Sequence, residues 1–376
     1  MELYPRLSGV YETTEKWLRD FFKDEHLILE HCQKLNMEPT TFHQQPKTIE
    51  KKVHWKFNQP SKPPSAFVVR MDKGRILSYN GAIVSPDNHL IWDLSIEFWA
   101  DFPQNHFLLQ KSSLPPLQST DKKIAALTFC ASQYYYHWLF DVLPRLYLLR
   151  YMGIDMDQYA INWNGKPAFQ TETLDLLGID QSKIIMVTEN TNLQAEKLYI
   201  PSLPGYTGHM GKWTVDYLRN ELMIQALKKS RSGSMPKRIY ICRGKAQSRK
   251  VTNEPELISL LKKYDITPVY LEKMTVADQV RLFHEAEVII GPHGGGLTNL
   301  AFCSPKTKVL EIFSPYYVHT CYWILSQHVK ADYHYLIGIG ERPPEYTDPN
   351  AVHREIEVDL QDVKKMLKLM NIKKPS

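Results

Sequence analysis

Cysteine is scarce in this chain of 376 residues, and its five copies, Cys32, Cys130, Cys242, Cys303 and Cys321, stand far apart with no CxxC pair. Such spacing argues against a disulfide framework and against a thiolate metal site. Several lie in apolar strand-like runs, as buried thiols of a reducing compartment do. No window approaches the roughly 20 apolar residues of a membrane span. The opening Met1-Glu2-Leu3-Tyr4-Pro5-Arg6 lacks the apolar core of a signal peptide. A cytoplasmic protein is therefore expected. Charge of one sign is also lacking: 46 Lys and Arg against 41 Asp and Glu leave a net charge of +5. With no recognised nucleic-acid module, nucleic acid is not an expected partner. There is no internal repeat. The glycines do not follow the GxGxxG order of a dinucleotide oxidoreductase. Asp155-Met156-Asp157 fits an Asp-x-Asp metal motif formally, but it falls in a polar turn after a helix and reads as surface. No metal and no cofactor are expected.

What the chain does contain is apolar material for a full core, at 43% hydrophobic residues. Its length suits two domains, taking roughly 150 residues for each. Residues 11–36 read as a helix carrying Trp17, Leu18, Phe21, Phe22, Leu27, Ile28 and Leu35, and 39–64 as a proline-bearing linker with a short strand at 53–57. The runs 66–71, 76–79, 82–85 and 90–94, punctuated by Asn80-Gly81 and Pro86-Asp87-Asn88, predict an antiparallel meander. From residue 124 strands and helices alternate: strands at 124–130, 159–163, 184–187 and 198–200, helices at 136–151, 169–177 and 213–229. After a break at 230–234 the alternation becomes cleaner. Strands are expected at 238–242, 266–271, 288–290, 309–313 and 333–337, which argues for a parallel sheet with right-handed crossovers. A last helix at 358–372 is expected to cross back over the N-terminal domain.

Three stretches carry chemistry. In Val288-Ile289-Ile290-Gly291-Pro292-His293-Gly294-Gly295-Gly296-Leu297-Thr298-Asn299, a β-branched run feeds a glycine turn that opens a helix. Free backbone N–H groups and a positive dipole end receive phosphate in that arrangement. His293 stands where it could donate a hydrogen bond to a diphosphate. The same turn would also serve as a plain connection with no ligand. The second stretch, Arg238 to Arg249, places Arg243 just past a buried strand, with Arg249 close behind. Guanidinium groups suit bidentate recognition of a diphosphate, although loop arginines can equally be solvated. Ligands of parallel sheets bind beyond the carboxyl ends of the strands, where both the glycine turn and Arg243 lie. The third runs from Tyr134 to Leu146. A helix puts His137 and Asp141, four apart, on one face, as a base with its orienting carboxylate or as a structural pair among aromatics. Glu311, near the end of the 309–313 run, is placed to accept hydrogen bonds from a ribose.

Together, His137 to Leu146, Arg243 to Leu257 with Arg249 and Asn253-Glu254, and Gly291 to Asn299 resemble glycosyltransferase family 61 in order and spacing, over roughly residues 65–345. Many members carry Ala where this chain has the middle glycine, Gly295. The resemblance implies a GT-B type α/β fold: two Rossmann-like domains facing a cleft, the first with the added meander. It divides the chain into an N-terminal helix and linker (1–64), an acceptor-side domain (65–230), a nucleotide-sugar domain (231–345) and a C-terminal tail (346–376). It implies metal-independent, inverting transfer from a nucleotide sugar, usually UDP-linked, to a glycan or lipid-linked acceptor, as in bacterial polysaccharide assembly. The donor diphosphate would lie on Arg243, Arg249, His293 and Gly294, Gly295, Gly296, Leu297, Thr298 and Asn299, with Glu311 at the ribose. Asp141 or His137 would be the base. Two lysine clusters, Lys47 to Lys62 and Lys364 to Lys374, could support peripheral contact with the inner membrane face. A nucleotide-sugar epimerase on the same scaffold and a non-catalytic glycan-binding protein are the rival readings.

Overall fold

The computed structural model describes residues 3–37, 44–58, 65–162, 167–206, 208–244, 246–341 and 351–375. The chain divides into two compact units, Met1–Glu38 with Pro63–Thr207, and Pro39–Lys62 with Gly208–Ser376. The segment expected to be a linker thus belongs to the second unit, as does the helical stretch up to Lys229. Where 11–36 reads as one helix, the chain forms Thr14–Phe21, Glu25–His31 and then a strand, Cys32–Leu35. Thr13 and Asp24 each accept a backbone N–H at a new helix start, so the second cap interrupts the first helix. The short strand expected at 53–57 is instead a 3-10 turn, Trp55–Asn58.

In the first unit a mixed sheet is built on four parallel strands: β1 (Gln118–Ala126), β2 (Gln158–Asn162), β3 (Ile184–Val187) and β4 (Asn192–Pro201). Their lateral order is β3-β2-β1-β4, the first four positions of a Rossmann sheet. Antiparallel strands extend it beyond β4. Ala66–Asp72 pairs with β4 and with Cys32–Leu35, while Arg75–Leu77, Ala82–Val84 and His89–Ile91 follow one another. The first run of the expected meander therefore leaves it: the Lys73-Gly74 corner lays Ala66–Asp72 and Arg75–Leu77 against successive lengths of β4 rather than against each other. Alternate residues of β1 and β4, including Ile124, Ala126, Leu198 and Ile200, face a core with Trp17, Met71, Ile76 and Val187.

The second unit holds a five-stranded parallel sheet of β5 (Arg238–Ile241), β6 (Thr267–Val269), β7 (Val288–Pro292), β8 (Lys308–Phe313) and β9 (Asp332–Ile337). The order is β6-β5-β7-β8-β9, a doubly wound sheet that reverses direction between β5 and β7. The final helix, Leu360–Leu369, does not return to the first unit's core. Its Val363, Met366 and Leu367, with Met370 and Ile372 after it, pack with Tyr240, Leu257, Leu260, Leu310 and Leu336 of the second. Asn253 fixes this tail by exchanging two hydrogen bonds with the Val358 backbone, at 2.8 and 3.1 Å. All five cysteines are free thiols, and only Cys130 is not fully buried.

Burial lowers the pKa of five histidines, His106 (to about 4), His209, His293, His328 and His334. Each is neutral in the folded chain where its unfolded counterpart begins to charge, so the unfolded state binds more protons as pH drops below about 6.5. Stability is therefore expected to fall from pH 6.5 towards 4, with His106 alone contributing on the order of 2–3 kcal/mol. Urea unfolding across that window checks it. His106→Gln should flatten the slope, and an acid limb identical to that of the unaltered protein would count against this origin.

Candidate functional site

In the second unit the reversal between β5 and β7 brings two sequence motifs together. Cys242 and Arg243 leave β5, and His293 with Gly294 leave β7, beyond the carboxyl ends of adjacent strands. Arg243 donates to the His293 carbonyl (3.3 Å) and to that of Ser248 through Nε (3.1 Å) and Nη2 (2.9 Å). Arg249 donates through Nε to the same His293 carbonyl (3.2 Å), and also to the Val352 carbonyl. Its backbone is left-handed, with φ 54°, and its guanidinium lies 5.5 Å above the Tyr317 ring. Neither arginine has a carboxylate in hydrogen-bonding range among the described residues. Burial, and then the charge of Arg249, lower the Arg243 pKa to about 10. Two half-buried cations converging on one carbonyl form a local excess of positive charge, which a diphosphate would balance.

The three glycines are not equivalent. A Cβ on Gly294 would fall 1.5 Å from Arg243 Nη1, and one on Gly296 3.0 Å from Ile241 Cγ2. Gly295 meets nothing within 4 Å, so a methyl group would fit there. A 3-10 helix, Gly295–Phe302, follows. No acceptor among the described residues takes the N–H of Gly295 or Gly296.

The structure refines one sequence expectation here and corrects another. The diphosphate is expected on the backbone N–H groups of the turn through Leu297, Thr298 and Asn299, and all three of these bury their side chains within the unit. Leu297 N–H is taken by the Gly294 carbonyl (3.0 Å), Asn299 Nδ2 by Gln279 (2.9 Å), and the Thr298 hydroxyl meets Tyr322 at 3.4 Å. Glu311 is not at the rim: it is 0% exposed, with one oxygen on His293 Nδ1 and the other accepting from the Tyr333 hydroxyl. With both oxygens occupied inside the sheet, it has none for a ribose. Its role is to orient His293. That ring stacks on Phe313 at 5.3 Å and has no second hydrogen-bond partner among the described residues, leaving Nε2 for a ligand. Burial, then Arg249, Arg243 and Lys56, hold His293 neutral, while burial raises the Glu311 pKa well above the carboxylate range. Tyr333 carried no motif signal, so periodicity marked it only as a strand residue.

The first unit carries the third motif of the sequence. A loop after β1 leads to Tyr135–His137, a π-helical turn, Trp138–Val142, and a helix, Arg145–Tyr151. The wider turn is closed by Leu143 N–H donating to the Trp138 carbonyl at 3.0 Å, and such turns recur at functional positions. His137 Nδ1 lies 2.7 Å from Asp141 Oδ2, the pairing expected from the spacing. Asp141 is buried and His137 partly exposed, which leaves Nε2 as the nitrogen for a hydroxyl proton. Arg145, within the quoted motif but given no role by the sequence, anchors this helix. Its buried guanidinium donates to the carbonyls of Ala126 (2.8 Å), Thr128 (2.8 Å) and Pro201 (3.0 and 2.8 Å). It thereby caps the ends of β1 and β4, and burial lowers its pKa to about 9. Asp155 is exposed, and Asp157 accepts from Lys123 N–H at 2.8 Å. No group of three acidic, His or Cys side chains among the described residues could hold a metal ion.

Gly294→Ala should displace Arg243 and cost about 1–3 kcal/mol, whereas Gly295→Ala should stay within about 0.5 kcal/mol of the unaltered protein. Urea unfolding of the two variants measures this, and equal losses would contradict the assigned geometry.

The family-model match covers the segment that holds these motifs. Residues 135–310 match the family model described as Glycosyltransferase 61. A beta-1,2-xylosyltransferase of Oryza sativa subsp. japonica is 34% identical over 99 residues, which are 24% of this chain and 18% of that protein. The beta-1,2-xylosyltransferase of Arabidopsis thaliana is 34% identical over 103 residues, 24% of this chain and 19% of the relative. An EGF domain-specific O-linked N-acetylglucosamine transferase of Drosophila melanogaster is 32% identical over 78 residues, 20% of this chain and 15% of the relative. The alignments thus span less than a fifth of each relative's length. The matched segment, just under half of the chain, holds His137, Asp141, Arg243, Arg249 and His293 and is similar to glycosyltransferase family 61.

Proposed function

We propose that this chain is a metal-independent, inverting glycosyltransferase that moves a sugar from a nucleotide sugar, UDP-linked, to a hydroxyl of a glycan or glycoconjugate. The observation that carries the reading is the pair Arg243 and Arg249, with no carboxylate in hydrogen-bonding range among the described residues, beside the N–H groups of Gly295 and Gly296 where the second sheet reverses. Donor diphosphate would sit there, with neutral His293 donating through Nε2. In the first unit the corresponding reversal, between β1 and β4, is filled by Arg145, which favours the second unit as donor binder. That division of labour is the one a GT-B arrangement requires. His137, oriented by Asp141, would take the acceptor proton as its oxygen attacks the anomeric carbon. The bond from that carbon to the diphosphate oxygen would break, and the arginines would hold the charge of the leaving diphosphate.

The relatives named above are plant and animal proteins, so the proposal does not carry the bacterial polysaccharide setting. No helix among the described residues is long and apolar enough to cross a membrane. Peripheral contact, if made, would use the exposed Lys364, Lys365 and Lys368.

His137→Ala and Asp141→Asn should each slow transfer by about 100-fold or more, with nucleotide binding unchanged. Radiolabelled transfer from UDP-sugars checks this alongside a donor-only incubation. Full activity in both variants would remove the pair from the chemistry, and donor isomerisation without any acceptor would point to an epimerase.

A further inference from the structure

The surface around His137 holds more exposed aromatic area than folding explains. In residues 95–137 the exposed large apolar side chains are Phe98 (44% exposed), Trp99 (91%), Phe102 (64%) and Tyr134 (61%), all of them aromatic. Phe98 lies 5.5 Å from the His137 ring and 5.8 Å from Phe129, and Tyr134 lies 6.4 Å from His137. The rings thus border the imidazole directly. Trp99 and Phe102 continue the loop that Phe98 begins, and clustered exposed apolar groups of this kind mark binding sites.

The loop is tied down before any ligand arrives. Ser95 Oγ accepts from Ile83 N–H at 2.8 Å, and Glu97 accepts from Phe107 N–H at 3.4 Å while lying 3.8 Å from buried His106. Anchoring of this sort lowers the ordering cost of binding.

Charge selects the occupant. Between Arg75 and Lys111 the sequence has no Lys or Arg, whereas Glu97 and Asp101 flank the aromatics. An anionic lipid surface would call for basic residues here. A neutral pyranose suits the pattern instead: its C–H face packs on an aromatic ring, and its hydroxyls donate to carboxylates. We propose that the 95–102 loop, with Tyr134, is an acceptor subsite for a neutral pyranose glycan, which stacks on Phe98 and Trp99 with a hydroxyl directed to His137. This rests on the reading of His137 and Asp141 as the transfer base.

Saturation-transfer NMR tests it on the full chain without donor, using xylotriose, mannotriose and chitotriose as probes. The unaltered protein should give saccharide signal with at least one probe. Trp99→Ala, at a fully solvated position, should reduce it at least fivefold with no change in Tm, and Phe98→Ala should do the same. The subsite is overturned by silence from all three saccharides, or by undiminished signal in Trp99→Ala. It is also overturned if Trp99 fluorescence responds to phosphatidylglycerol–phosphatidylcholine vesicles and not to the saccharides. Because no turnover is required, a chain that binds saccharide here yet transfers nothing would sink the transferase reading and leave the subsite standing.

Discussion

Two guanidinium groups, those of Arg243 and Arg249, meet on the single carbonyl oxygen of His293, and most of the second unit's distinctive chemistry follows from that convergence. It requires a residue without Cβ at 294, because Arg243 occupies that volume. A left-handed backbone at Arg249 goes with it. Burial first, and then these two charges, oppose protonation of the adjacent imidazole, so His293 is a neutral hydrogen-bonding group and not a third cation. Burying like charges together costs free energy in the absence of a counter-ion. Such an arrangement is reasonable where an anion binds and wasteful elsewhere.

The two units use the same location on a parallel sheet in opposite ways. In both, strand order reverses and the carboxyl ends of neighbouring strands diverge, which opens a crevice. In the first unit Arg145 closes it by donating to carbonyls at the ends of both flanking strands. The guanidinium there is structural: it ties the helix bearing Asp141 to the sheet. In the second unit the arginines donate to loop carbonyls instead, beside glycine amides that no described residue accepts from. The same guanidinium chemistry thus serves packing in the first unit and, in the proposed reading, recognition in the second, and only the acceptors tell them apart.

How much of this was legible beforehand depended on range. The parallel sheet of the second unit, the glycine turn, the Arg243 position and the His137–Asp141 contact all follow from local spacing, since strand runs and i,i+4 pairs are short-range facts. Glu311 lies near a strand end and is nevertheless fully buried, so position along the strand does not give its exposure. Its partners, His293 and Tyr333, arrive from two neighbouring strands, and no local pattern encodes that lateral pairing. At Leu297, Thr298 and Asn299 the motif names positions, whereas only the fold shows that their side chains fill the core. The last helix followed its apolar face onto the nearer sheet, and its amphipathic pattern alone could not choose between two cores.

Isothermal titration of the full chain with UDP, repeated with Arg243→Ala, tests the central claim most directly. Micromolar affinity that falls at least tenfold in the variant and weakens with added salt is the expected result. No heat of binding with any nucleoside diphosphate, or an affinity indifferent to Arg243, would contradict it.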